Sequence, residues 1–490
     1  MFSGGTPLAA RTVGVLDRDD SGTQPGYTLL CAGREVYLID LDGRVVHEWR
    51  SERKVFVAYL LPNGNLVRDG SDCEQAVAFR AGGAAGYVEE VTWENELVWR
   101  FSRLPYDVFL THHDLEVLPS GHVLLLCWQR VPKEAALEAG RRPELLPDGE
   151  VWNEMVLEVA PDGRGGAAVV WRWSMWDHLV QDHDPARANH GVVEEHPELY
   201  DLNYCPPGGK QACRNQAVHN GSCNSFGLAP FVSRTPGSGT GEKDWVHANA
   251  LAYDAERDQV LISLCFSSEL IAIDHGTTTE EAASHMGGRR GRGGDILWRY
   301  GNPQVHRHGT RMEQSLFVQH SAHFIGPGLP GAGHVLLFNN GRAQDRLWSS
   351  VEELKLPEAV ASDGDYLLRE GVAAADMVWS YGPQAGRAGS FYCTHMSAAQ
   401  RLPNGNTLIT MGPQGLLVEV TVEGREVWRY LSPVMFSEDG VAFVRQGDAR
   451  LGGRFNLFRA LRYATNYAAF DGVRGEALVA SASMRRYLEA

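Results

Sequence analysis

Leu61-Pro62-Asn63-Gly64-Asn65 returns as Leu402-Pro403-Asn404-Gly405-Asn406, and in looser form as Leu118-Pro119-Ser120-Gly121-His122. Each copy stands between short apolar runs. Asn-Gly favours φ > 0 and marks the turn of a β-hairpin. A second element follows each time: a short apolar strand, an acidic or glycine turn, then a strand closing on tryptophan. Glu35 to Gly43 leads to Val46-His47-Glu48-Trp49-Arg50, Val88 to Thr92 leads to Val98-Trp99-Arg100, and Val156 to Gly163 leads to Val170-Trp171-Arg172. Leu270 to Asp274 leads to Leu297-Trp298-Arg299, Ser350 to Leu354 to Val378-Trp379-Ser380, and Leu417 to Thr421 to Val427-Trp428-Arg429. Six copies of an inner hairpin plus an outer hairpin make six four-stranded blades.

The expected fold is therefore all-β, a six-bladed β-propeller of antiparallel blades. The recurring tryptophans are expected to pack between blades. Ring closure requires the two ends to meet. The strand-like tail Asn456 to Tyr463 is read as completing the blade begun by Gly26–Leu30 and Glu35–Trp49. Residues 1–24 then form an N-terminal extension, 25–470 the propeller, and 471–490 a C-terminal tail. The uneven repeat spacing places a large insertion at about 177–243, on a face of the ring. Short helices are expected near Lys133–Ala139 and Glu280–His285.

Composition narrows the function classes. The 490 residues are 43% hydrophobic and 22% charged, which is globular. The formal charge of -16 argues against a nucleic-acid binder, which needs a basic face. No apolar run approaches a membrane span, and Met1 to Asp20 has no signal-peptide pattern. Eight cysteines are too few for a disulfide scaffold. Cys205, Cys213 and Cys223 share one loop and could pair. Phosphate-loop and Gly-x-Ser-x-Gly patterns are missing, and Cys205-Pro206-Pro207 lacks the sulfatase pattern. The basic run Gly287 to Gly294 is read as an insertion tip.

Chemistry is expected where inner strands enter the central channel. His112-His113-Asp114 opens the third blade and His247-Ala248-Asn249 the fourth. His320 to His323 opens the fifth and Thr394-His395 the sixth. Tyr59 is a milder counterpart in the second. Convergent imidazoles suit either a metal site or nucleophilic and acid–base chemistry. Asp114 is the only acid close by in sequence, which favours the metal-free reading, with no cofactor. Asn340 and Arg342, in Phe338-Asn339-Asn340-Gly341-Arg342, add an amide and a planar fork suited to a tetrahedral oxyanion.

These residues resemble the arylsulfate sulfotransferases that use no nucleotide sulfate donor. The resemblance covers roughly Pro25 to Tyr467. It is carried by Val36 to Val46, Trp176 to Asp182, His196 to Tyr204, Asp244 to Asn249, Asp274 to Ala283, Gly301-Asn302-Pro303, Gln319-His320, Phe338 to Arg342, Ala399 to Ile409 and Phe458 to Tyr463. It implies a propeller with its site in the central channel. It further implies ping-pong transfer of a sulfuryl group from a phenolic sulfate donor to a phenolic acceptor through a sulfated histidine. The nucleophile is expected at His395, with His320 as second choice, and His247 and Arg342 complete the catalytic set. Asn249, Asn340, His113 and His323 are expected to bind substrate. Ser321 stands where the family often has Asp. That departure keeps a non-catalytic binding propeller open as an alternative, beside an aryl sulfate hydrolase.

Overall fold

A computed structural model describes residues 11–471 except 73–74, 80, 104–105, 147–148, 206–242, 343–344, 358–374, 384–390, 438–439, 448–454 and 456. Six antiparallel four-stranded blades form a β-propeller with little helix. Innermost strand first, blade 2 runs Ala58–Leu60, Leu66–Ser71, Gly86–Val91, Leu97–Ser102. Blade 3 runs Phe109–Val117, Val123–Pro132, Glu150–Pro161, Ala167–Ser174. Blade 4 is Ala248–Asp254, Gln259–Leu264, Glu269–Asp274, Ile296–Tyr300, and blade 5 is His320–Phe324, Val335–Asn339, Ser350–Lys355, Asp376–Tyr381. Blade 6 is Ala398–Arg401, Thr407–Met411, Leu416–Val420, Glu426–Leu431.

Blade 1 closes the ring. Its inner strand, Ala460–Ala464, comes from the C-terminal end and pairs with Gly26–Ala32, followed by Glu35–Ile39 and Val45–Arg50. Beneath this closure Arg462 bonds to Glu419 of blade 6, and both side chains are fully buried. Within the stretch expected as an extension, Gly14–Arg18 adds a fifth strand to the outside of blade 6.

The turns show why the repeated Pro-Asn-Gly motif makes hairpins. Gly64 and Gly405 both take φ +89, while the preceding asparagines do not enter the left-handed region. Leu61 N donates to Asn65 O at 2.8 Å and Asn63 Oδ1 accepts from Asn65 N at 3.0 Å. Leu402 to Asn406 repeats both bonds. The loop is thus a five-residue turn braced by the asparagine side chain rather than a two-residue one.

Each of the six largest apolar clusters lies between two neighbouring blades. Trp428 and Tyr430 of blade 6 pack with Tyr37 and Ile39 of blade 1, and Val88 and Trp99 of blade 2 pack with Leu115 and Leu125 of blade 3. Four closing tryptophans also reach forward to the next blade. Trp49 Nε1 donates to Thr92 O, Trp171 to Thr277 Oγ1, Trp379 to Val422 O, and Trp428 of blade 6 to Leu41 O of blade 1. A blade alone would leave that face wet. Burying one such side chain contributes about 1.5–3 kcal/mol, and the closed ring buries Trp49, Trp171 and Trp428 and half-buries Trp379.

Both expected helices are present, as Lys133–Glu138 and Thr279–Ala282, the latter held by a Thr278/Glu281 capping box. Among the described residues no helix is long and apolar enough to cross a membrane. Cys213, Cys223 and most of the expected insertion lie outside the described residues.

Candidate active site in the central channel

The inner strands of blades 3 to 6 are kinked where they enter the channel. Non-glycine residues adopt left-handed backbone there: His113 (φ 56), His247 (φ 56), Ser321 (φ 56), Met396 (φ 54) and Ser397 (φ 80). Ladder register slips at the same places in blades 3, 4 and 5. Such bulges re-aim side chains, and non-glycine left-handed residues cluster at functional sites. The histidines therefore occupy two neighbouring positions rather than one equivalent position. His113 and His247 sit on the kinked residue, whereas His112, His320 and His395 stand one residue before it.

His320 is clamped at one nitrogen. Its Nδ1 lies 3.0 Å from Val318 O and 2.8 Å from Asn340 Oδ1. The Asn340 amide cannot be turned over, because its Nδ2 donates to Cys393 O and Met396 O at 2.9 and 3.0 Å. Both neighbours of Nδ1 accept, so the hydrogen is on Nδ1. The lone pair is then on Nε2, which has no hydrogen-bond partner among the described residues. Burial, opposed by the Asn340 bond and aided by the His247 and His395 charges, pushes the pKa down to about 3. The ring is neutral, with its Nε2 lone pair unengaged by the described residues.

His247 is tuned the other way. Burial disfavours its cation, but Asp244, whose Oδ2 bonds Nδ1, outweighs that and raises the pKa above the ordinary imidazole value. The ring stacks on Phe266 with centroids 4.5 Å apart and meets His113 edge-on at 4.4 Å. His113 in turn bonds His112 at 2.9 Å between Nδ1 atoms, and His112 Nε2 lies 3.0 Å from Glu154 Oε2. Burial, followed by the Asp244 charge, pushes the Glu154 pKa well up. His113 is held well below its usual value, first by burial and then by His247. Gly83 (φ +79) lets a blade 2 loop lie against this ring: a Cβ there would stand 2.2 Å from His113 Nε2.

A second layer is built around Asp114. Its two oxygens accept from Arg459 at 3.0 and 2.8 Å, and Tyr59 donates to Oδ1 at 2.8 Å. Burial opposes the Arg459 charge, and Asp114 outweighs it to hold that pKa above the ordinary value. His323 lies within the field of both Arg459 and Asp114, and burial lowers its pKa to about 4.

The expected residues separate into those the channel gathers and those that support it. His113, His247, His320 and His395 are gathered. His395 is lowered to about 4 by burial, and its Nδ1 lies 2.9 Å from Thr394 Oγ1. A hydroxyl gives and takes hydrogen bonds, so this contact fixes no tautomer. The two asparagines face the protein. Asn340 is used up as described, and Asn249, fully buried, donates to Gln319 O at 2.7 Å, just before His320. Arg342 Nε bonds Asp345, which also meets Arg311, and the Arg342 charge acts on Tyr204. Sequence reasoning assigned no role to Asp244, Glu154, His112 or Arg459. Asp244 had a local signal, three residues before His247. Glu154 and Arg459 had none: Glu154 reaches His112 from the third strand of blade 3, and Arg459 reaches Asp114 from just before the blade 1 closing strand.

Searched against curated proteins, the sequence finds no match. Among solved structures it is similar to a protein of unknown function from Bacteroides caccae, at 12% identity over 83% of this chain and 93% of that one, with a TM-score of 0.41. A functionally unknown protein from Desulfotomaculum acetoxidans is similar at 6% identity over 86% and 99%, with a TM-score of 0.37. The arylsulfotransferase (ASST) family model matches residues 97–429. That match runs from the outer strand of blade 2 to the outer strand of blade 6 and includes every histidine of the channel described above, and the chain belongs to the arylsulfotransferase family.

Proposed function

We propose that this arylsulfotransferase moves a sulfuryl group from a phenolic sulfate ester to a phenolic acceptor, through a sulfated His320. Family membership supports small aryl substrates. One observation carries the rest: the pKa values of two neighbouring imidazoles are pushed in opposite directions, His320 down by burial and His247 up by Asp244. A pair of groups pushed apart in this way assigns the base and the acid.

His320 Nε2 attacks sulfur as the bond from sulfur to the aryl oxygen breaks. The bonding pair leaves with the phenolate, which takes the proton from His247 Nε2. In the second half the acceptor phenol returns its proton to His247 and attacks sulfur. The nitrogen–sulfur bond breaks and its pair returns to Nε2. Asp244 orients His247 and stabilises its cation, and Asn340 keeps the proton of His320 on Nδ1. The His247 cation faces the charge that builds on the sulfuryl oxygens, with Arg342 at the same end of blade 5 as a second source of positive field. Asn340 and Asn249 act as positioning residues. His320 is preferred to His395 because its tautomer is set by two acceptors.

The test is a burst of 4-nitrophenol from 4-nitrophenyl sulfate without acceptor, with mass spectrometry of the trapped protein. His320→Ala is expected to abolish the burst and the sulfated peptide, while His395→Ala keeps both. A His320→Ala protein that still bursts overturns the assignment. Continuous release without acceptor identifies a hydrolase.

A further inference from the structure

Far from the channel, where the expected insertion leaves blade 3, three side chains converge. His178 Nδ1 lies 2.8 Å from Asp295 Oδ1, and His285 Nδ1 lies 2.7 Å from the same oxygen. His178 is 1% exposed and Asp295 8%, whereas His285 is 58% exposed. We propose that His178, His285 and Asp295 bind a zinc-class divalent cation, with the remaining position open to water on the His285 side.

The argument starts from the other nitrogen of His178. Its Nε2 lies 2.8 Å from Ala282 O, which can only accept, so the ring hydrogen is on Nε2. The neutral ring then turns the Nδ1 lone pair toward a carboxylate oxygen. Two lone-pair bearers at 2.8 Å need a proton or a metal ion between them. A second proton on this buried ring would serve His178 alone. One metal ion serves both histidines, because the same Oδ1 faces both. Ligating imidazoles characteristically donate their second N–H to a carbonyl or carboxylate, as His178 does to Ala282. Two imidazoles and a carboxylate suit Zn²⁺ better than Mg²⁺ or Ca²⁺, which prefer all-oxygen shells. Zinc bonds of about 2.0–2.2 Å require the three groups to spread slightly, and His285 is on an exposed turn that can move.

The glycine-rich run that reads as an insertion tip has a role in this arrangement. Gly293 N bonds Gly287 O and Gly294 N bonds Ser284 O, folding the run back on the helix. A Cβ on Gly294 would stand 2.1 Å from Ala282 O and 2.6 Å from His178 Nε2. Only glycine lets the chain pass there and present Asp295 to both histidines. The ion would tie the start of the insertion to the Thr279–Ala282 helix and the outer strand of blade 4.

Full-length protein, stripped with chelator and desalted, is titrated with ZnCl₂ by calorimetry, and with CoCl₂ by visible absorption. One equivalent is expected to bind and raise Tm by a few degrees, with the cobalt form showing tetrahedral bands. His285→Ala, on the exposed ligand, and Asp295→Asn should each lose that equivalent and the Tm shift. No binding by the wild-type protein, or the same equivalent and shift in His285→Ala, overturns the proposal.

Discussion

Asp244→Asn keeps the shape of the side chain and removes its charge, which isolates the role given to His247. The magnitude can be read from the neighbouring imidazoles. Burial alone acts on His395 and leaves it at about 4, and His320, also without a carboxylate, sits at about 3. An imidazole at about 4 carries its second proton in about one molecule in 10³ at pH 7. Without Asp244, His247 is left to the same burial, opposed only by the Glu154 charge, and the departing phenolate loses its proton donor. For unsubstituted phenyl sulfate, kcat/KM is expected to fall about 10³-fold, inside the range typical of general acid catalysis. For 4-nitrophenyl sulfate, whose phenolate is stable unprotonated, the fall should stay within about tenfold. The assay is kcat/KM over phenyl sulfates of graded leaving-group basicity. The slope of its logarithm against leaving-group pKa should steepen in the variant. The sign with pH also follows. The raised pKa of His247 means the wild-type rate on poor leaving groups is sustained at and above pH 6.5 and declines as pH rises through that pKa. In Asp244→Asn the decline begins at lower pH. An equal loss across the substrate series, or an unchanged slope, would refute the acid role of His247.

Two further predictions concern stability. Asp69 accepts from the Phe56 and Val57 amides through Oδ1, its Oδ2 is buried without a partner, and burial raises its pKa from 3.8 to about 7. The fold holds it neutral while the unfolded chain ionises it, so its contribution to stability is full below pH 4 and declines up to about pH 7. The shift corresponds to about 4 kcal/mol. Asp69→Asn should therefore gain stability on wild type between pH 5 and 8 in urea unfolding, and parallel curves would count against this. At the ring closure, Glu419→Ala strands a fully buried Arg462, and should cost about 3–5 kcal/mol. A variant whose urea midpoint is unchanged would mean that this pair does not latch blade 1 to blade 6.

The contrast between fold and site has a physical basis. A blade is a local object, made by turns and alternation within about fifty residues, so Pro-Asn-Gly and Val-Trp-Arg were enough to read it. Ring closure was legible because the tail Asn456 to Tyr463 was a strand-like segment left without a blade. The histidines were visible for the same reason, since each opens an inner strand of a countable repeat. Their roles were not visible. A kink of one residue decides whether position 112 or 113, and 320 or 321, takes the left-handed backbone, and no pattern along the chain marks it. The partners that set protonation come from elsewhere. Asn340 reaches His320 from the next strand of its blade, Glu154 reaches His112 across blade 3, and Arg459 reaches Asp114 over 345 residues. Burial is the largest cause that lowers the pKa of His112, His320 and His395, to about 3, 3 and 4. In the proposed mechanism, what separates nucleophile from acid is one amide oxygen, from the next strand of blade 5, and one carboxylate, three residues before His247. A propeller can therefore keep its repeat and its histidines while exchanging their roles, because a single substitution beside an imidazole changes which proton it holds.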